Sequence, residues 1–329
     1  MLERPSLAQC ALLCIAPMMG SCASSVPSRV VAPQPIFRLE TVRQETARTT
    51  KPVDESPKRA QRAWEFETRA FAVPSASAGS IDSRVSRFGA SLTWNLRVTE
   101  RTTAAVKLET ERSSYKFDGL QAALPGFDLR RVDGLDVHRA SVNFMHIRSK
   151  ETSYFVGAGA AVAQEPGAAF EDSSVFNFQV GMRHAWNDSL STSIGVAAST
   201  RIEEDLFALP FLGLDWTATD SWSFQFGVPA TGVKFRASDS VSVALRARFE
   251  FRDFRLEDSG AMPGGILRDE GIGVELGLDW RPSPAISLGV NAGYLMNREL
   301  RFDDASGATL LEVHPDSSPF AGLSLKYQI

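Results

Sequence analysis

Phe88-Gly89-Ala90-Ser91-Leu92-Thr93-Trp94-Asn95-Leu96-Arg97-Val98 alternates without a break. Phe, Ala, Leu, Trp, Leu and Val fall on one side of an extended chain; Gly, Ser, Thr, Asn and Arg fall on the other. A period of two belongs to a β-strand, so the stretch predicts a strand with one apolar face. The same stripe returns at Phe176/Phe178/Val180/Met182, at Leu190/Thr192/Ile194/Val196/Ala198 and at Val241/Val243/Leu245/Ala247/Phe249/Phe251. It returns again at Ile272/Val274/Leu276/Leu278/Trp280, Ile286/Leu288/Val290/Ala292/Tyr294 and Ala321/Leu323/Leu325/Tyr327/Ile329. Clusters of Gly, Pro, Asn, Asp and Ser punctuate the blocks, and no helical period competes from Trp64 onward. The reading is all-β.

A soluble sandwich would alternate too. Three observations favour an antiparallel up-and-down transmembrane barrel. The stripes carry no charge, as a lipid-facing row must, since Arg or Lys at the midplane costs about 2–4 kcal/mol. The blocks run to about 9–11 residues, enough to cross a bilayer when tilted. Tight links (99–103, 149–152, 187–189, 217–221, 238–240, 281–284) take turns with expected long loops (74–85, 113–135, 164–175, 200–210, 253–270, 296–318). The tight Pro229–Gly232 link is the exception. Trp64, Trp186, Trp216, Trp222 and Trp280, with Tyr154, Tyr294 and Tyr327, fall near block ends, where amphipathic rings meet lipid headgroups. The count is about fourteen strands, with twelve as the alternative if 222–228 and 232–237 form one bent hairpin.

Ahead of the barrel, assigned to 63–329, the composition changes. Cys10, Cys14 and Cys22 are the only cysteines, so disulfides and Cys-based zinc sites are excluded from the rest. Residues 1–23 read as a secretory signal with a short apolar core at 7–19. Met19-Gly20-Ser21-Cys22 resembles a lipobox, which would leave Cys22 lipidated; Ser21-Cys22-Ala23 equally suits ordinary signal peptidase. Residues 24–62 are Pro- and Arg-rich, with eight basic and four acidic side chains, and read as a disordered periplasmic linker. The whole chain, at net charge −4, offers no case for nucleic acid.

The final strand, Phe320-Ala-Gly-Leu-Ser-Leu-Lys-Tyr-Gln-Ile329, resembles the C-terminal insertion signal of bacterial outer-membrane proteins, although it ends on Ile rather than Phe or Trp. That implies the barrel-insertion machinery as a partner. Leu209-Pro-Phe-Leu-Gly-Leu-Asp-Trp216 followed by Trp222-Ser-Phe-Gln-Phe-Gly-Val-Pro229 resembles an uncharacterised family of outer-membrane barrels. The resemblance covers about residues 60–329 and implies a barrel in outer-membrane lipid. It implies no activity.

Chemistry is expected in the lumen. If the Val241–Phe251 stripe faces lipid, Arg246, Arg248, Glu250 and Arg252 face inward, joined by Lys234 and Arg236 on the preceding strand. Glu65, Glu67 and Arg69 oppose Trp64 and Phe66, while Lys107, Glu109 and Glu111 oppose Val106 and Leu108. One reading is a pore between a basic and an acidic wall, orienting small solutes at a constriction. The other, which we favour, is that the charges pair across the lumen. Arg246, Arg248 and Arg252 are the expected lumen-defining residues. The apolar loop 113–135, with Leu120, Leu124, Phe127 and Leu129, is expected either to plug the mouth or to pack on neighbouring loops. No cofactor or metal site is expected. His138, His146, His184 and His314 are scattered, and neither Gly-x-Ser-x-Gly nor His-Glu-x-x-His occurs. The functional expectation is passage or binding of small solutes. A closed structural or surface-interaction barrel is the alternative, and a membrane-embedded hydrolase a distant third.

Overall fold

The alternating blocks fold into β1 (Trp64–Ala78), β2 (Ile81–Arg97), β3 (Thr102–Asp118), β4 (Arg131–Ile147), β5 (Thr152–Gln164), β6 (Ser174–Ala185), β7 (Leu190–Arg201) and β8 (Glu204–Thr217). These are followed by β9 (Trp222–Gly227), β10 (Ala230–Arg236), β11 (Val241–Arg255), β12 (Ile266–Trp280), β13 (Ile286–Asp303), β14 (Thr309–Val313) and β15 (Ser318–Gln328). The computed structural model describes residues 64–127, 129, 131–227 and 230–329. The expected signal, Cys22 and the 24–62 linker lie outside the described residues, as do Arg130 and Pro229.

Each strand up to β13 pairs antiparallel with the next, and β15 pairs with both β13 and β1, so the sheet closes. β14 and β15 lie against the two halves of β13 and form one interrupted stave, which makes fourteen staves from fifteen strands. The twelve-strand alternative fails because β9 and β10 are separate staves, paired with β8 and β11 as well as each other. Closure leaves no free sheet edge around the periplasmic half, the end at which Trp64 and Ile329 exchange backbone hydrogen bonds.

Outside this half runs a continuous apolar belt: Phe66, Leu92, Leu108, Phe144, Val156, Phe178, Ile194, Leu212, Leu245, Leu276, Val290 and Leu323 are all exposed. All six tryptophans of the chain, Trp64, Trp94, Trp186, Trp216, Trp222 and Trp280, lie at the periplasmic ends of their strands and are exposed. The Trp64 and Trp94 rings stack at 5.0 Å. Among the described residues no helix is long and apolar enough to cross a membrane, so crossing falls to the strands.

At the outer end the expected alternation of loop lengths gives way. Two of the expected long loops are not loops. β1 and β2 continue to a tight turn at 79–80, where Gly79 adopts φ 62°, and β7 and β8 continue to a turn at 202–203. The expected loop at 296–318 is largely strand as well, and the one at 253–270 shortens to 256–265. Several staves therefore reach 15–18 residues, longer than the crossing needs, and rise above the belt.

The tops of β11, β12 and β13 then leave the wall. β13 carries a register shift opposite Glu270/Ile272, where Asn297 adopts φ 48°. Asn is among the few non-glycine residues that tolerate this left-handed conformation. Beyond that point both faces of β11 and β12 are buried, and on β13 one face is buried and the other half-buried. Arg255 on β11 even pairs in parallel with Gln164 on β5, a stave on the other side of the barrel. A strand in a membrane wall shows one face to lipid, so strands buried on both faces and bonded across the ring lie over the lumen.

One face of this inward fold, with Phe254, Leu267, Leu300 and Phe302, packs into an apolar core with Val73, Val85, Tyr115, Phe117 and Val132. Tyr115 meets Phe254 edge-on at 6.0 Å, and Phe117 meets Phe302 edge-on at 5.5 Å. The helical turn Leu120–Ala123 brings Leu120 into the same core with Leu124 and Leu129, and Phe127 packs against it. The apolar residues of the 113–135 segment thus pack on both the inward fold and the upper parts of its neighbouring strands.

Candidate functional site

The other face of the inward fold is ionic. Asp253, Arg255, Arg268 and Glu270 occupy positions that, by strand parity, would face lipid, yet all four are buried. They face β7 and β8. Arg201 donates to Asp253 at 2.9 and 3.0 Å and to Glu270 at 2.6 Å. Arg268 donates to Asp303 at 2.6 Å, to Asp253 at 2.9 Å and to the Ile202 carbonyl at 2.8 Å. Arg301 reaches Glu204 at 2.9 Å, and Arg255 pairs with Glu203. Removing these ions from water is expensive, and only multiple well-aligned hydrogen bonds offset it.

On the apolar face, one carboxylate gathers three groups. Asp269 accepts from Arg87 at 2.7 Å, from the Tyr115 hydroxyl at 2.8 Å and from Arg298 at 2.8 and 3.1 Å. Arg298 also donates to Ser83 at 3.1 Å. This ties β12 and β13 to β2 and β3 across the mouth.

Below this level the charges anticipated from sequence form a ladder. Arg246 lies 3.3 Å from Glu275 and 3.2 Å from Asp279. Arg248 pairs with Glu250 at 2.6 Å and with Glu275 at 3.5 Å. Glu250 pairs in turn with Arg252 and lies 3.5 Å from Arg87. Arg252 crosses to Glu111 on β3 at 3.0 Å. Arg69 donates to Glu109 at 2.6 Å, and Arg139 donates to the same oxygen at 2.7 Å. Near the periplasmic end Lys326 lies 3.7 Å from Glu65 and 3.6 Å from Glu67. Lys234 lies beside Ala244 and Ser223 in the sheet register. Arg236 belongs to the rim instead of the wall: it is exposed and donates to the Asp220 carbonyl in the turn below. The two arrays of opposite sign thus meet as pairs.

The residues that sequence reasoning did not single out, Arg87, Arg201, Asp253, Arg268, Asp269, Glu270, Arg298 and Asp303, belong to the mouth. For Asp253, Arg268 and Glu270 a signal was present: charges at lipid-facing parity near the ends of the β11 and β12 blocks.

The wall from β5 to β8 differs in character. Its inner face interleaves small and apolar residues, among them Phe155, Gly157, Gly159, Gly181, Gly195, Leu209 and Phe211, with polar ones such as Asn177, Gln179 and the Arg183–Asp215 pair. Phe155 and Phe211 stack at 6.0 Å, lying where a side chain on Gly181 or Gly195 would be. The four histidines lie apart: His138, His146 and His184 bond Thr110, Thr102 and Thr152, and His314 lies near Glu299 and Glu312 at the outer rim.

A closed fourteen-stave sheet with an apolar belt, a tryptophan girdle and an ion-filled interior defines an outer-membrane β-barrel. The chain belongs to the family described as domain of unknown function (DUF6268), which matches residues 131–328. None of the curated proteins matches it. Among solved structures it is similar to an outer-membrane channel from Pseudomonas putida F1, at 11% identity, 85% of this chain, 100% of that chain and a TM-score of 0.45. It is also similar to the NanC porin (8% identity, 80% and 100% coverage, TM-score 0.36) and to the P. putida toluene transporter TodX (8%, 81% and 90%, TM-score 0.37). At these identities the likeness is one of fold alone.

Proposed function

We propose that this barrel is a passage for small solutes held shut at its outer mouth by the inward fold of β11–β13. The observation that carries the reading is the contrast between the two levels of the interior. An eight-stave barrel is narrow enough for side chains to fill, whereas fourteen staves leave more room. On the periplasmic side this barrel lines that room with small residues and partly solvated ions, including Arg246, Asp279, Arg183 and Asp215. Packed filling is concentrated at the mouth. A barrel that served only as a structural plug would gain stability from filling its whole length. The ladder residues Arg246, Arg248 and Arg252 are then the charged lining that a solute meets below the closure.

The test is planar-bilayer conductance. Arg252 and Asp269 are directly opposite in the β11–β12 ladder, so deleting 253–268 and joining them through Asn-Gly leaves a hairpin with a two-residue turn. The intact protein is expected to insert and stay mostly closed, and the shortened one to conduct in steady steps. Arg268→Ala, a milder lesion, should give intermittent openings. Heat-modifiable gel mobility reports folding in each case. If both variants fold, insert and remain silent, the barrel is a closed structural element and the proposal fails.

A further inference from the structure

The wall has a gap, and it lies at lipid depth. β9 has six residues and β10 seven, whereas β8 and β11 on either side have 14 and 15. At about 3.3 Å per residue and a tilt near 45°, a strand needs about 9–11 residues to span the hydrocarbon. The described residues of β9 and β10 therefore fall short of a full crossing, while β8 and β11 beside them do not. Above this hairpin, among the described residues, β8 pairs only with β7 from Glu204 to Leu212. β11 from Phe249 upward pairs with β12 and, at Arg255 alone, with β5. Among the described residues β8 and β11 do not pair with each other.

The β8 edge is at the level of the apolar belt, since Leu206 and Leu212 are exposed, and Leu245 on β11, exposed as well, lies just below the gap. Unpaired backbone cannot face hydrocarbon; at membrane depth it is tolerated only where it lines a cavity. Pro210, which has no N–H to leave unpaired, occupies the β8 edge. Above the gap, Glu203 and Glu204 on the β7–β8 turn pair with Arg255, Arg268 and Arg301. The gap is thus a window: the short hairpin is its sill, β8 and β11 are its jambs, and the ion pairs are its lintel.

On its β8 side the inner face is apolar, while the β11 side carries Arg248 and Glu250, paired with each other. Leu209 and Phe211 on the β8 jamb lead to Phe155, and Gly213, Gly227 and Gly232 line the sill. The Leu-Pro-Phe and Trp-led stretches picked out in the sequence are the two strands that frame this opening.

We propose that this window is a lateral port through which small neutral molecules of aromatic size pass between the lumen and the outer leaflet, with Phe155, Leu209 and Phe211 as their binding surface. It rests on the passage reading and gives that passage a direction: with the mouth shut, apolar cargo leaves sideways.

The barrel strands contain no cysteine, so single cysteines report cleanly. L209C, L212C and S91C are placed separately in the full chain, reconstituted in phospholipid vesicles and treated with the bilayer-dissolved reagent N-pyrenylmaleimide. L212C, on the lipid face, and L209C, on the inner face at the window, are expected to label alike, while S91C, on the inner wall away from it, stays unlabelled. Naphthalene in the bilayer is expected to slow L209C and leave L212C unchanged. F207C on the same jamb repeats the measurement if L209C folds poorly. An unlabelled L209C and F207C would show that the wall is closed to lipid and overturn the port. Labelling without protection by naphthalene would overturn the assigned cargo. Neither result depends on conductance, so a conducting shortened hairpin with an unlabelled L209C rejects the port and leaves passage through the mouth standing.

Discussion

Replacing Asp269 by Asn should unlatch the mouth while leaving the barrel intact. The substitution keeps shape and removes one charge from a site where two guanidiniums converge. Arg87 and Arg298 are both buried, at 6% and 0% exposure, so water does not replace what they lose. Arg87 keeps an ionic partner, Glu250 at 3.5 Å, but Arg298 is left with neutral acceptors only, the new amide's oxygen and the Ser83 hydroxyl. Breaking a buried ion pair on one side costs about 3–5 kcal/mol, and the surviving Glu250 contact argues for the lower end, about 3. Asp269 holds β12 against β2 and β3, and those strands stay in the wall through their own neighbours whether or not the mouth is shut. The cost therefore falls on the closed arrangement. At about 1.4 kcal/mol per tenfold, the closed-to-open ratio should fall roughly 100-fold. Two assays read this. Open probability in a planar bilayer should rise. L300C, buried at the crossing, should become reactive to a charged, externally added maleimide in the Asp269→Asn background and stay protected in the parent. An Asp269→Asn protein that folds, stays silent and protects L300C as well as the parent would refute the claim that this carboxylate holds the crossing shut.

Two further outcomes test the walls below. Gly195→Ala should destabilise the barrel by about 1–3 kcal/mol, since overpacking forces neighbours to shift; its Cβ would lie 2.5 Å from the Phe211 ring and 2.4 Å from the Val180 carbonyl oxygen. The lowered urea midpoint should be partly restored by Phe211→Leu, and an unchanged midpoint would mean the ring does not rest on that glycine. Arg246→Ala should cost less than about 1 kcal/mol, because an ion pair this solvated contributes little, its side chain being 41% exposed. In the shortened-hairpin channel it should nonetheless shift the reversal potential toward cation selectivity, and an unshifted potential would remove Arg246 from the solute path.

Much of this was legible because alternation is a local property. From Phe88 to Val98 every second residue meets lipid, and nothing elsewhere in the chain alters that. The stave count was also local, apart from β9 and β10, whose brevity left twelve open. What was not legible is contact between distant segments. That the Glu109 carboxylate bonds Arg69 and Arg139 depends on β1, β3 and β4 closing round one lumen, although opposite charges at inward parity made some pairing predictable. The loops at 74–85 and 200–210 were misjudged because a lipid-trained pattern stops at the belt. Above it Asp82, Arg84 and Asp118 face water on strands that simply continue, with Arg84 and Asp118 paired at 2.8 Å in the open.

β11 shows where parity reasoning reaches its limit and what replaces it. Up to Phe249 its odd positions are apolar and its even ones polar, as a wall strand requires. At Asp253 and Arg255 the odd positions turn ionic, and on β12 Arg268 and Glu270 do the same at lipid-facing parity. Such residues have two possible surroundings: water above the membrane, or partners inside the protein. An exposed rim would pair them loosely if at all, as with Arg84 and Asp118. Four charges on adjacent strands at this parity, flanking apolar Phe254 and Leu267 on the opposite one, describe a ribbon with one ionic face and one greasy face. Neither face suits lipid or water, so such a ribbon must fold where an apolar surface and counter-charges are both available, and within this barrel the mouth supplies both.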